Sequence, residues 1–434
     1  MAKIRPFRGF RPVSNLASEI ASLPYDVMDT EEARAEIETH PDSFLTVTKS
    51  EAVLPKGTEP YDPEVYARAR ENLERYAKEG KMKQDPSPCF YIYRQRRERH
   101  IQIGVVSTVA VEDYRKGVVK RHELTRTDKE EDRVRHILGT KAQTGPVFLT
   151  YHGRPEIDSY ILKLMSEHTP AFDFIADDGG RNTLYVIENP LEVQELTKLF
   201  APVERFYIAD GHHRCAGAMR AAATLEKEGG KNDPGAEYKY FQAVIFPDHM
   251  MNILDYNRVV KDLAGYSTEE FLQAVEEKFT VKSVEKAYRP QTSHSFGMYL
   301  KGQWYALTAR EGTFAAQDAI ASLDVSILQA NILTPLLKIG DPRTDKRIGF
   351  VGGVRGLSEL EKRVNNGSYA VAFAMFPTRM EEVMAAADAD QIMPPKSTWL
   401  SRSSGMGSSF TFWKIYEESS AVCLVVCLNK IRGK

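Results

Sequence analysis

The stretch Phe206-Tyr-Ile-Ala-Asp-Gly-His-His-Arg214 constrains this chain more than any other. Phe206, Tyr207 and Ile208 form an apolar run of the kind that makes a buried strand, and Asp210 and Gly211 are turn formers. From His212 to about Lys227 the apolar spacing changes to that of a helix, with Ala216, Met219, Ala222, Ala223 and Leu225 on the face that meets a core. A strand, a tight Asp-Gly turn and a helix bring unsatisfied backbone N–H groups and the positive end of a helix dipole to one point. Two histidines and an arginine sit at that same point, which is how proteins commonly build an anion site, most often for phosphate. Arg214 offers a two-pronged fork for phosphate oxygens, and His212 and His213 can donate or move a proton near neutral pH. The plainer alternative is that Asp210 merely caps a helix whose basic side chains are solvated. A metal pair is a weaker reading, because adjacent histidines on a helix point about 100° apart and need partners from elsewhere.

Composition narrows the function classes. A chain of 434 residues can bury a large core in more than one lobe. Its formal charge of −2 supplies no global basic field, so nucleic-acid binding is not expected. Four cysteines in this length do not make a disulfide scaffold. The opening Met-Ala-Lys-Ile-Arg-Pro-Phe-Arg lacks the apolar stretch of a secretory signal, and no run has the length of a membrane span. A cytoplasmic protein acting on a small molecule, without membrane attachment, is the expectation; the oligomeric state is left open.

The remaining elements alternate between strand and helix. Strands are expected over Phe7 to Val13, Phe44 to Thr48, Phe90 to Tyr93, Ile101 to Val111, Val147 to Tyr151, Tyr240 to Phe246, Ile253 to Val260, Phe296 to Leu300, Trp304 to Thr308 and Tyr369 to Phe376. A further β pair is expected around Asp177 to Arg181. Helices are expected from Thr30 (as N-cap) to Glu38, Pro63 to Glu79, before Gly139, and over Asp158 to Glu167, Leu191 to Phe200, Thr268 to Lys278, Ile320 to Leu337 and Glu381 to Ala387. The polar run from Lys120 to Arg133 holds His122, Glu123, Asp132 and Arg133. His122-Glu123 is not the start of a zinc-protease motif, because Arg126 stands where the second histidine is required. The loop Asp341 to Gly353 fits neither a P-loop nor a dinucleotide fingerprint.

Taken in order, Pro24-Tyr25-Asp26-Val27, His122-Glu123 with Asp132-Arg133, Asp210-Gly-His-His-Arg214, Asn257-Arg258, Asp345-Lys-Arg-Ile348 and Met393-Pro-Pro-Lys-Ser-Thr398 resemble the family known as domain of unknown function 1015, over the chain up to Trp399. Members of that family often carry the label ParB-like or SpoOJ. The segment around Asp210 also looks like the phosphate loop of the ParB/sulfiredoxin-like fold, which includes free-serine kinases. The resemblance implies a mixed α/β (α+β) fold with a ParB/sulfiredoxin-like core, elaborated into two interleaved lobes at about 1–235 and 236–399. It implies a phosphotransferase that binds ATP or ADP with Mg²⁺.

Phosphoryl transfer needs positioning and charge neutralisation more than covalent chemistry. The N–H groups around Gly211, His212 and His213, with Arg214 and Arg133, would hold phosphate. Asp210 or Glu123 would ligate Mg²⁺ or accept the proton of an attacking hydroxyl. His122 and Lys396 would neutralise developing charge, and His213 would move a proton. A kinase of free serine or a similar hydroxyl compound is the leading reading. A small-molecule phosphatase and a ParB-like nucleotide-dependent DNA-binding or partition protein are the alternatives. After Trp399 the chain departs from the family. Under one permitted back-translation, restoring a single base there yields Phe-Glu-Pro-Lys-Leu-Arg-Asn-Gly-Leu, the family's ending. Residues 400–434 are therefore expected to be a frameshifted tail, in which Cys423 and Cys427 form no redox motif.

Overall fold

The computed structural model describes residues 1–25, 28–176, 179–228, 233–400 and 426–427. Asp26, Val27 and nearly all of the atypical tail thus lie outside the described residues, as do Asp177 and Asp178 in the expected β pair. The described residues form two compact units, one over Met1–Met251 and the other from Asn252 to residue 400. The division falls after residue 251 rather than near 235, because the apolar strand Tyr240–Pro247 lies inside the first unit's sheet. Among the described residues no helix is long and apolar enough to cross a membrane.

The first unit is organised by a nine-stranded mixed sheet. Its strands are β1 (Ile4–Arg5), β2 (Phe90–Arg97), β3 (His100–Ala110), β4 (Val119–Lys120), β5 (Val147–Tyr151), β6 (Phe172–Ile175), β7 (Arg181–Ile187), β8 (Phe206–Asp210) and β9 (Tyr240–Pro247). They run in the order β4-β8-β5-β9-β3-β2-β7-β6, with β1 paired to β3. The hairpin β2–β3 is longer and tighter than expected. Arg94 to Arg97 continue the strand, and only Glu98 and Arg99 turn, with Glu98 at φ 49°.

Helices cover this sheet: α1 (Thr30–Thr39), α2 (Pro63–Lys78), α3 (Thr127–Thr140), α4 (Pro155–Glu167), α5 (Pro190–Phe200) and α6 (His212–Lys227). α1 is capped by Asp29 rather than Thr30, since the Asp29 carboxylate accepts from the Glu32 N–H and the Glu32 side chain accepts from the Asp29 N–H. Leu45–Thr48, expected as strand, is a buried helical turn. Its threonine hydroxyls donate to carbonyls three and four residues back, Thr46 to Ser43 and Thr48 to Phe44, which overrides the β-branched composition.

The second unit has a six-stranded sheet, every pair antiparallel. It is built from β10 (Tyr256–Val260), β11 (Phe279–Val284), β12 (Ser295–Leu300), β13 (Gln303–Ala309), β14 (Ile348–Gly352) and β15 (Val371–Met375), in the order β11-β13-β12-β15-β10-β14. The expected helix Ile320 to Leu337 is shorter, an α-turn Asp324–Leu328 followed by a π-helical stretch Gln329–Leu333.

Candidate active site

The site is built where β8 bends into α6. β8 pairs in parallel with β4 and antiparallel with β5, and its register with β5 slips between Ile208 and Asp210. That irregularity re-aims the strand end at the turn. Gly211 follows at φ 95°, in the left-handed region. A Cβ there would come within 3.3 Å of Val147 Cα and 3.2 Å of Arg214 Nε, so the turn accepts only glycine without strain. α6 begins at His212 and runs for 16 residues; among the described residues no side chain caps it. Its first turn is therefore a positive helix end backed by the sheet.

The parallel pairing of β4 with β8 brings in the polar run. Val119 lies opposite Phe206 and Lys120 opposite Tyr207, so the residues after Lys120 arrive level with the turn. His122 and His212 meet as an edge-to-face pair, ring centres 4.6 Å apart at 89°. Both are buried, at 2% and 5% exposure. Burial pushes the His122 imidazole down to about 4 despite Asp210 and a hydrogen bond with the Ile208 backbone. Burial first, then His122, His213, Arg121 and Arg214, holds His212 well below its ordinary value. Both rings are therefore neutral near pH 7. The expected role of His122 as a cation that neutralises developing charge is corrected by its burial.

His213 accepts from the Arg126 N–H at Nε2 (3.1 Å), so its ring proton sits on Nδ1 and the contact ties the polar run to α6. Arg214 donates to the carboxylate of Asp210 one turn back and to the Pro146 carbonyl. Asp210 is half-exposed and Arg214 largely buried. The turn's acid and its arginine thus form one paired unit rather than two separate groups.

α3 supplies the other side. Gly217 on α6 lets the two helices approach so closely that a Cβ there would lie 2.7 Å from Arg133 Cβ. Arg133, buried at 8% exposure, forks onto Asp132 through Nε (3.0 Å) and Nη2 (2.5 Å) and stacks 3.8 Å above the Tyr25 ring. Asp132 also accepts from the Tyr66 hydroxyl (3.0 Å). Arg133 and Arg214 line one cavity of about 30 Å³ together with Tyr25, Thr48, His136 and Thr144. That is room for roughly two or three waters.

Of the residues singled out in the sequence, the structure brings together Asp210, Gly211, His212, His213, Arg214, His122, Glu123 and Arg133 within the first unit. Lys396 belongs to the second unit. There its carbonyl accepts from Arg258 Nη2 (2.9 Å) and its ammonium lies 5.6 Å from the Tyr256 ring centre. Among the described residues, the group of three that converges at metal-ligand spacing is His122, Glu123 and His212, with ligand atoms within 4.8 Å of one another; it includes Glu123 of the expected ligands. Sequence reasoning missed His136 and Thr144. His136 sits one turn after Arg133 on the same face of α3, and that spacing was the available signal.

No curated protein matches the chain. Among solved structures, it is similar to a mutant free serine kinase in complex with AMP (14% identity, TM-score 0.34, covering 68% of this chain and 86% of that one). It is likewise similar to a mutant free serine kinase in complex with ADP (14%, TM-score 0.33, the same shares). A conserved hypothetical protein from Pyrococcus furiosus is also similar (15%, TM-score 0.31, 68% and 90%). Likeness at this level carries no argument about the site. The family described as protein of unknown function DUF1015 matches residues 4–326, short of the expected Trp399 but across the whole first unit up to Met251, and the chain belongs to that family.

Proposed function

We propose that the chain is a phosphotransferase that holds a phosphate ester, ATP or ADP in the leading case, at the Asp210–Arg214 turn and passes a phosphoryl group to a small hydroxyl compound such as free serine. One observation carries this reading: Arg133 and Arg214, from two different helices, line the same cavity, and Arg214 stands in the first turn of α6, whose start no side chain caps among the described residues. Each arginine is also tied to a carboxylate, which holds its side chain in place at the cavity. In the transfer, the acceptor oxygen forms the new P–O bond as the bond to the leaving phosphate oxygen breaks. Asp210, half-exposed on the turn, takes the hydroxyl proton, and Glu123 is the alternative base. Mg²⁺ would arrive on the nucleotide phosphates, neutralising their charge.

The test is a product assay. ATP or ADP with free serine is expected to yield phosphoserine, and Asp210→Asn to abolish it while nucleotide binding persists. If phosphoserine is instead consumed to serine and phosphate without nucleotide, the cradle serves a phosphatase. Salt-dependent binding to duplex DNA without either activity would support the partition-protein alternative.

A further inference from the structure

We infer that His122, His212 and Glu123 form a binding site for a first-row transition-metal ion of the zinc class. Two observations carry this independently of the phosphotransferase reading. The first is convergence: one ligand atom from each residue lies within 4.8 Å of the other two, and His212 Nδ1 is 3.9 Å from a Glu123 carboxylate oxygen. Two atoms each about 2.1 Å from a common ion stand no more than about 4.2 Å apart, so the site closes with less than about an ångström of movement. Glu123, whose side chain is 58% exposed, can supply that movement, while the buried histidines stay put.

The second observation is orphaned nitrogen. His122 Nδ1 is buried with no hydrogen-bond partner among the described residues, and on His212 the unpartnered nitrogen is Nε2, the one other than the Nδ1 that faces Glu123. Leaving a buried nitrogen unpaired is costly, and an ion on His122 Nδ1, whose ring meets His212 edge to face, removes that cost. At His122 the other side of the ring is held by the Ile208 backbone. Such a backbone contact fixes a histidine's tautomer and leaves the lone pair of the other ring nitrogen available to a metal ion. Two imidazoles and one carboxylate suit Zn²⁺, Co²⁺ or Mn²⁺ better than Mg²⁺, which prefers all-oxygen surroundings. Three protein ligands leave a coordination position for water or substrate.

The experiment uses the full chain, stripped with a chelator and titrated with Co²⁺ alone. Bound metal is read by equilibrium dialysis and by the ligand-field absorption of the cobalt ion. The wild type is expected to bind one equivalent per chain. Glu123→Gln, an exposed and nearly isosteric change that leaves the fold intact by circular dichroism, is expected to weaken binding at least 10-fold. His122→Gln should abolish the ligand-field band, and His249→Ala should change nothing. A wild type that binds no Co²⁺, a Glu123→Gln protein that binds as tightly as wild type, or an equal loss in His249→Ala would overturn the assignment.

Discussion

His136 makes the folded first unit acid-sensitive by a calculable amount. Its ring is buried at 4% exposure, with Nε2 against the Val47 carbonyl (3.0 Å) and Nδ1 facing the Thr144 hydroxyl (3.4 Å). Arg133 and Asp132 face it from its own helix, and Tyr66 meets it edge-on from α2 with ring centres 6.5 Å apart. Burial, reinforced by the Arg133 charge, pushes the imidazole from 6.5 down to about 4, against the opposing pull of Val47 and Asp132. The unfolded chain therefore takes up this proton near pH 6.5 and the folded chain only near pH 4. Between those values the unfolded state holds more protons, so stability falls as pH falls, at up to about 1.4 kcal/mol per pH unit. The loss attributable to His136 is about 2 kcal/mol at pH 5 and about 3 kcal/mol once both states are protonated. His136→Gln keeps a donor for Val47 and removes the titration, while the other buried histidines act equally in both proteins and cancel. Urea unfolding followed by far-ultraviolet circular dichroism, from about pH 7.5 to about pH 4.5, measures the difference between the two proteins. That difference is expected to shift by about 2 kcal/mol in favour of the variant by pH 5. A difference flat to within about 0.5 kcal/mol across the window would refute the reasoning.

Further outcomes follow from single positions. Gly211→Ala places a Cβ at φ 95° against Val147 and should cost about 1–3 kcal/mol by urea unfolding while weakening ADP binding; an unchanged midpoint contradicts the turn geometry. Gly217→Ala pushes α6 off α3 at Arg133 and should destabilise by about 1–3 kcal/mol, with the ultraviolet environment of Tyr25 altered as its stacked arginine moves. Cys215, 1% exposed, has its thiol raised by burial, and Cys89 is pushed up to about 11 by burial and Asp85. Peptide mapping after native alkylation at neutral pH should find both unmodified, and labelling of either in the folded protein would contradict the packing.

The strand, turn and helix around Asp210 were legible because the apolar period changes from strand to helix across two turn formers, a local signal that tertiary context reinforces. The gathering of His122 and Glu123 at that turn was legible only through family resemblance. It depends on parallel pairing of β4 with β8, strands 87 residues apart at the Val119–Phe206 register, which no local pattern encodes. Leu45–Thr48 misled because alternation over so short a run cannot separate a strand from a buried helical turn. The Asp210–Arg214 pair is not legible from the sequence, because it forms only when the tight turn at Gly211 folds the last residue of β8 back against the first turn of α6. The depressed protonation of His122 and His212 could not be read from residue identity, since burial sets most of it and, at His212, neighbouring positive groups brought in by the fold add to it.

Phosphate capture by the two arginines is the step on which the proposed activity depends. Calorimetric titration of ADP with Mg²⁺ into wild type and Arg214→Lys tests it most directly, because lysine keeps the charge and removes the fork. One binding site in the wild type, weakened about 10- to 100-fold in the variant, is the expected result. Equal affinity in both proteins, or no binding by the wild type, would contradict the cradle.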